Sequence, residues 1–244
     1  MKRLSKLLIE IGNTALKAAW AEGMTLGRTY RYQGEKPMEF ITEITAREKP
    51  SVMVISSQYD ISPADEKRLM GECGTLVVLD SNHTSILEHY GLPSFLSFDR
   101  AANILAARYL FKGKGCILFD LGTTMTVDFL SAGGEYEGGN ISLGCRTRFK
   151  ALNRYSKALP LINNPSQTVP LGMSLRSSME SGVVSGIMFE IEGYAASRPD
   201  SLVVFTGGDA NYFAKWMKSS IFVVCNLVLI GLALIAEGYE EKVD

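Results

Sequence analysis

Histidine and cysteine are scarce in this 244-residue chain, which has two of the first and four of the second. No two cysteines form a C-x-x-C pair, and His83 and His89 stand far in sequence from Cys73, Cys116, Cys145 and Cys225. That excludes a recognisable zinc site or disulfide framework and leaves four reduced thiols as the expectation for a cytosolic protein. An excess of charge of one sign is missing as well. The formal net charge is -1, and no Lys/Arg cluster is interleaved with aromatics, so a nucleic-acid groove is not expected and small ligands are favoured. The longest apolar run, which starts at Ile221, is interrupted by Asn226 and Gly231 and falls short of the roughly 18 to 20 residues a membrane span needs. The basic start MKRLSK is followed by an apolar run that stops at Glu10, which is too short for a signal peptide. Two familiar phosphate motifs are also lacking. There is no G-x-x-x-x-G-K-[ST], and Gly113 and Gly115 precede a strand where a dinucleotide fingerprint would follow one.

With 46% hydrophobic and 21% charged residues, the chain has ordinary globular composition and enough length for one large domain or two of about 100 to 150 residues. Its most informative feature is a repetition. LLIEIGNTALKAAW, residues 7–20, returns as CILFDLGTTMTVDFL, residues 116–130. In each, apolar residues run up to a carboxylate, then come an apolar residue, a glycine and two small polar residues, and alternation resumes. Glu10, Gly12, Asn13 and Thr14 answer Asp120, Gly122, Thr123 and Thr124. Each copy reads as a strand, a tight turn and a second strand. Glycine lets backbone N–H groups approach an anion, hydroxyl and amide side chains add donors, and a carboxylate beside them can hold a cation. That chemistry suits a metal-bound phosphate. Two copies in equivalent places predict a duplicated domain closing on one nucleotide from both sides.

The rest of the pattern agrees with duplication. After the first turn, two antiparallel strands meet at Gly23. Helical spacing over 38–48, a buried strand at 52–56, a helix opening near Pro63, a strand at 75–80, an irregular stretch over 83–95 and a helix begun by Asp99 complete the first half. The second half repeats this with strands at CILFD, TMTVDFL and about GEYEGG. Helices follow at 144–158 and 175–194, then the strand LVVFTGG, a helix over 209–216, the strand IFVV and a terminal helix capped by Asn226. The break falls in KGKG, which divides the chain into lobes 1–112 and 113–244 with a cleft expected between them.

At these residues the sequence resembles the superfamily of actin, sugar kinases and heat-shock chaperones, whose fold is α/β with two related actin-like (ribonuclease H-like) lobes. Within it the motifs resemble type III pantothenate kinase. They are acid-x-Gly-Asn-Thr with Lys17, Asp99-Arg100, Asp120-x-Gly-Thr-x-x-Thr126-x-Asp128, Gly138-Gly139-Asn140-Ile141-Ser142 and Thr206-Gly207-Gly208. The resemblance implies ATP-dependent phosphorylation of pantothenate, the first step of coenzyme A synthesis, by a cytoplasmic homodimer whose pantothenate pocket is completed by the partner chain. It implies that Glu10, Ile11, Gly12, Asn13, Thr14, Ala15, Leu16 and Lys17 cradle the nucleotide phosphates, with Gly122, Thr123 and Thr124 contacting ATP and Gly207 and Gly208 approaching the adenosine. It further implies that Asp120 holds a monovalent cation, potassium or ammonium, that Glu10 helps hold magnesium, that Tyr90, Ser97, Phe98, Arg100 and Leu175 contact pantothenate, and that Asp99 accepts the proton.

Read without the resemblance, the same residues have plainer roles. Asp99 stands where a helix N-cap would stand, Arg100 as a solvated first-turn residue, Asp128 as a strand-end charge and Lys17 as an exposed strand residue. Thr206-Gly207-Gly208 reads as a strand-to-helix turn. The chain also departs from the family pattern. Glu10 replaces an aspartate near magnesium, whose octahedral shell tolerates misplacement poorly. Ser97 stands where the family has glycine, Leu143 lacks a proline, and Leu175 replaces a threonine near Ser174 and Ser177. These departures keep a second function in view, a weak or inactive relative acting as a transcriptional accessory protein.

Overall fold

A computed structural model describes residues 5–163, 165 and 170–240. The chain separates into two units, Met1–Leu110 with Asn226–Asp244, and Phe111–Cys225. In the first unit, strands β1 (Lys6–Ile11), β2 (Leu16–Glu22), β3 (Thr25–Tyr32), β4 (Val52–Ser57) and β5 (Thr75–Leu79) alternate with helices α1 (Pro37–Thr45), α2 (Pro63–Met70), α3 (Ser85–His89) and α4 (Phe98–Leu110). In the second, β6 (Cys116–Leu121), β7 (Thr124–Leu130) and β8 (Tyr136–Leu143) precede α5 (Cys145–Tyr155) and α6 (Leu175–Ser197). Strand β9 (Leu202–Thr206), helix α7 (Ala210–Ala214) and strand β10 (Phe222–Val223) follow, and α8 (Leu227–Glu240) returns to the first unit.

The two sheets have one topology. Their strand orders are β3-β2-β1-β4-β5 and β10-β9-β6-β7-β8. Position for position, β1 pairs antiparallel with β2 and parallel with β4, and β6 pairs antiparallel with β7 and parallel with β9. The central strands carry nearly continuous apolar runs because helices or a neighbouring layer cover both faces. Ile9, Leu8 and Phe119 are fully buried, while edge strands β3 and β8 are mostly exposed.

The terminal helix departs from the expected division. The sequence places residues 226–240 in a lobe 113–244, but α8 packs on α4, β1 and β4. A Cβ at Gly231 would collide with the backbone of Ala102, so glycine lets α8 and α4 approach closely. The fully buried Lys6 forms an ion pair with Glu237 near the end of α8. Residues 85–89, expected to be irregular, form the short helix α3.

Candidate nucleotide and acceptor site

Both glycine turns form as strand-to-strand connections at the carboxylate end of a central strand. In the first unit, Gly12 N–H donates to Ala15 O at 3.1 Å, and β1 rejoins β2 at Ile11 opposite Leu16. In the second, Gly122 N–H donates to Thr124 O at 3.0 Å, and β6 rejoins β7 at Leu121 opposite Met125. The first turn is therefore one residue longer. Asn13, Thr14, Thr123 and Thr124 are exposed, while Ile11 and Leu16 are buried in the core. Those two apolar residues have only their backbones to offer a ligand.

Neither backbone conformation nor packing explains the glycines of these turns. Gly12 and Gly122 have no positive φ. A Cβ at 12 would come no closer than 3.4 Å to Ala15 O, and one at 122 no closer than 3.8 Å to Asp120 Oδ1. Their bare backbones leave room for an anion to approach. Gly207 is different. Its φ is +89°, and a Cβ there would lie 2.5 Å from Asp120 Oδ1 and 2.6 Å from Leu121 O. Glycine is required at 207 because the β9–α7 turn is pressed against the end of β6, where Asp209 N–H also donates to Leu121 O at 2.9 Å. Gly208, beside it, has open space around its Cβ position.

Each acid has a hydroxyl residue opposite it on the parallel neighbour, Ser56 for Glu10 and Thr206 for Asp120. The antiparallel partners differ. Glu10 faces Lys17, whose Nζ lies 3.0 Å from Glu10 Oε2, whereas Asp120 faces Thr126. Lys17 is thus paired rather than an exposed strand residue. No three-residue cluster of His, Cys, Asp or Glu able to hold a metal occurs among the described residues. A single carboxylate such as Glu10 still suits magnesium, which usually keeps waters and takes most of its protein-site ligation from one or two carboxylates and substrate phosphates. Around Asp120, one carboxylate oxygen and the Leu121 carbonyl both lie within 2.6 Å of the Cβ position at Gly207, and the buried Thr206 stands opposite on β9.

Turn 120–124 is braced by α5. Gly144 N–H donates to Thr123 O at 3.1 Å and Thr147 Oγ1 donates to the same oxygen at 2.6 Å. A Cβ at Gly144 would collide with Gly122 O. Asp209, following the two glycines, has its carboxyl pushed above the usual range by burial, with Arg146 opposing the shift. Sequence reasoning did not single out Ser56 or this bracing, because both arise from strand register rather than from a motif. Burial also pushes the Cys145 thiol to about 12 and the Cys116 and Cys73 thiols to about 11, so none of these three is a thiolate at neutral pH.

Asp99 lies in the first turn of α4 but does not cap it. The Ser97 carbonyl accepts the Ala101 N–H, and Asp99 is the second helical residue. Its Oδ1 is shut off from solvent with no hydrogen-bond partner. Phe98 belongs to the buried set, and Arg100 is 5% exposed where the plain reading expected a solvated side chain. Asp128, read as a strand-end charge, is likewise buried.

Helix directions in the first unit show which of these residues share an end. Helix α8 sets Gly231 against Ala102 near the start of α4 and Gly238 near the Tyr90 hydroxyl. The Tyr90 carbonyl is in turn held by Arg108 Nη1 at 2.8 Å, near the end of α4. The two helices therefore run the same way. Lys6, at the start of β1, pairs with Glu237 near the end of α8, so β1 runs against both, and its Glu10 end lies on the side where α4 begins with Asp99. Tyr90 sits at the other end, since Arg108 stands nine helical steps beyond Asp99, about 13.5 Å. Burial, and to a lesser extent Tyr239, pushes the Tyr90 phenol above its usual range. The structure thus brings Glu10, Ser97, Asp99 and Arg100 to one end and leaves Tyr90 apart. In the second unit, Leu175 is 54% exposed at the start of α6. Ser174 and Ser177 beside it bond to each other in a capping box.

Two sheets of identical strand order, each with an acid-bearing glycine turn, define the actin-like and sugar-kinase fold class. Solved structures agree on the fold. A putative Baf family transcriptional activator from Campylobacter jejuni superposes with a TM-score of 0.63 at 20% identity, covering 96% of this chain and 99% of that one. A putative N-acetylmannosamine kinase from Listeria monocytogenes gives 0.58 at 10% identity, covering 97% and 99%. The sequence profile of the type III pantothenate kinase family matches residues 6–197. The type III pantothenate kinase of Cytophaga hutchinsonii is 35% identical over 235 residues, 93% of this chain and 96% of that protein. The chain belongs to the type III pantothenate kinase family.

Proposed function

We propose that this chain transfers the γ-phosphoryl group of ATP to the terminal hydroxyl of pantothenate, in the first step of coenzyme A synthesis. The pantothenate oxygen bonds to the γ-phosphorus, the bond from that phosphorus to the bridging oxygen breaks, ADP leaves, and the hydroxyl proton passes to Asp99. The observation that carries the reading is the Asp99 carboxylate, one oxygen of which is buried with no partner at the end of the unit where the Glu10 turn begins. A carboxylate in that state is ready to accept a hydroxyl's hydrogen bond and, late in transfer, its proton.

The remaining roles are assigned on the same footing. Backbone N–H groups of 10–17, with the side chains of Asn13 and Thr14, bind phosphate oxygens, as do Gly122, Thr123 and Thr124. Gly207 and Gly208 give the adenosine a bare backbone. Glu10 ligates magnesium and Asp120 a potassium or ammonium ion, and such cations neutralise the charge that spreads over the phosphoryl oxygens during transfer. Ser97, Phe98 and Arg100 hold pantothenate, with Arg100 supplying a fork that matches its carboxylate. Leu175 and Tyr90 are assigned to the same substrate by the family resemblance alone. The working form is a cytoplasmic homodimer.

The test is a coupled assay of the purified chain with ATP, magnesium, potassium and pantothenate, with the product identified by mass. Formation of 4'-phosphopantothenate supports the reading. ATP binding without turnover of pantothenate moves the chain to the accessory-protein reading.

A further inference from the structure

Helix α5 starts directly on the second glycine turn. Gly144 and Thr147 both donate to the Thr123 carbonyl, and a Cβ at 144 would collide with Gly122 O. Arg146 lies between these two anchors, in the first turn of the helix. Cys145 and Phe149 are buried, while Arg146 and Lys150 are exposed. Asp209 reaches the same glycine turn through its N–H on Leu121 O, and Arg146 is close enough to oppose the upward shift of its carboxyl. The guanidinium therefore stands where the 120–124 turn, the β9–α7 turn and the start of α5 meet.

That is an unfavourable place for a cation. The free N–H groups of a helix's first turn carry partial positive charge, which favours acids there and disfavours arginine. Helix α5 has no acid in its first turn and no side-chain cap. Arg146 makes no hydrogen bond or ion pair among the described residues, so Asp209 acts on it only at longer range. A residue that breaks a local preference without a compensating contact is expected at a functional position.

The surrounding charges say what the arginine is there to meet. Two carboxylates border the corner, Asp120, whose Oδ1 lies 2.5 Å from a Cβ at Gly207, and Asp209. A polyphosphate brought to the N–H groups of 122–124 meets like charge from both. A potassium or ammonium ion at Asp120 offsets one of them, and Arg146 offsets the other. Its planar fork also matches phosphate oxygens. The next arginine of α5 is committed elsewhere, since Arg148 donates to Leu143 O, Ser142 Oγ and Glu190.

We infer that Arg146 binds phosphate oxygens of the nucleotide held at the 120–124 turn, and so favours nucleoside polyphosphates over nucleosides in the second unit. The inference rests on the nucleotide binding named in the proposed function and adds to it a cation supplied by the chain itself.

The experiment is calorimetric titration of ADP and of adenosine into the full chain, with magnesium and potassium present, for wild type, Arg146→Gln, Arg146→Lys and Lys150→Gln. The last removes the same charge one helical turn further on, about 6 Å. Arg146→Gln is expected to weaken ADP by about tenfold or more and to leave adenosine unchanged. Arg146→Lys recovers part of the loss, because a point charge replaces the fork, and Lys150→Gln matches wild type. Thermal unfolding of Arg146→Gln stays at or above that of wild type, since a cation has left the start of the helix. In an Asp209→Asn background the glutamine weakens ADP by the same factor. Unchanged ADP affinity in Arg146→Gln, an equal loss for adenosine, an equal loss in Lys150→Gln, or a loss that disappears in the Asp209→Asn background overturns the inference. The kinase reading is judged separately. A chain that depends on Arg146 in this way but leaves pantothenate untouched contradicts only the activity, whereas one that binds no ADP at all overturns both.

Discussion

Lys17 and Glu10 face each other across the first strand pair, with 3.0 Å between the amine and the carboxylate. The equivalent positions of the second copy, Thr126 and Asp120, hold no such ion pair because residue 126 is not a cation. The first turn thus carries its own positive charge next to the acid assigned to magnesium. Replacing Glu10 by Asp withdraws the carboxylate by one methylene from Lys17 and releases the amine towards the phosphates. Turnover is expected to rise or stay level, at an equal or lower magnesium requirement. A clear loss of kcat/KM across a magnesium titration would mean that this chain depends on the longer side chain.

The glycines divide into two kinds with opposite signatures. Gly12→Ala and Gly122→Ala meet only ordinary contacts, so each is expected to leave stability within about 1 kcal/mol of wild type and to weaken nucleotide binding at least tenfold. Gly207→Ala combines a φ of +89° with a collision against Asp120 and Leu121, and is expected to cost about 2 kcal/mol or more. Chemical denaturation set beside nucleotide titration separates the two. Equal stability losses at all three sites would contradict the assignment of Gly12 and Gly122 to ligand approach.

The duplication was legible because the strand-turn-strand pattern is written locally, in alternation and in Gly12 and Gly122. Its register was not. The extra residue Ala15 in the first turn and the placement of Ser56 opposite Glu10 depend on pairing between strands far apart in sequence. The terminal helix was given to the wrong unit because its apolar composition says that it is buried but not against what. The partners are Ala102 and Lys6, more than 120 residues away. Without the family resemblance Asp99 reads as a cap because N-cap and second-position acids occupy neighbouring places before an apolar run, and the Ala101 N–H bonded to the Ser97 carbonyl decides between them. Tyr90 shows the same limit, since its hydroxyl lies beside Gly238 of α8.

Lys6 is fully buried and forms an ion pair with Glu237. Replacing Glu237 by Leu removes one carboxylate from a buried amine, which is expected to cost about 1 kcal/mol or more. Replacing Lys6 and Glu237 together by Met and Leu is expected to recover most of the loss. Urea denaturation of the single and double variants checks this. Additive losses would show that the two residues do not act as a pair.

Asp80 is 1% exposed. Burial alone would raise its carboxyl, but hydrogen bonds from His83 and from the Ile61 and Asn82 N–H groups outweigh it and hold the group below its usual value. A depressed folded value means the unfolded chain binds the proton first. The contribution is therefore complete above the unfolded carboxylate range, near pH 4, and is lost as pH falls through the lower folded value. Stability measured between pH 6 and 3 is expected to fall less steeply in Asp80→Asn than in wild type. Parallel curves would contradict the assignment.

The proton acceptor is the centre of the account, and the Asp99→Asn variant tests it most directly. Since Oδ1 has no hydrogen-bond partner to lose, the amide is expected to leave folding and ATP affinity close to wild type. Pantothenate-dependent turnover in the same preparation is expected to fall by about 10²- to 10⁴-fold. Turnover equal to wild type, with nucleotide binding intact, would contradict the role given to Asp99.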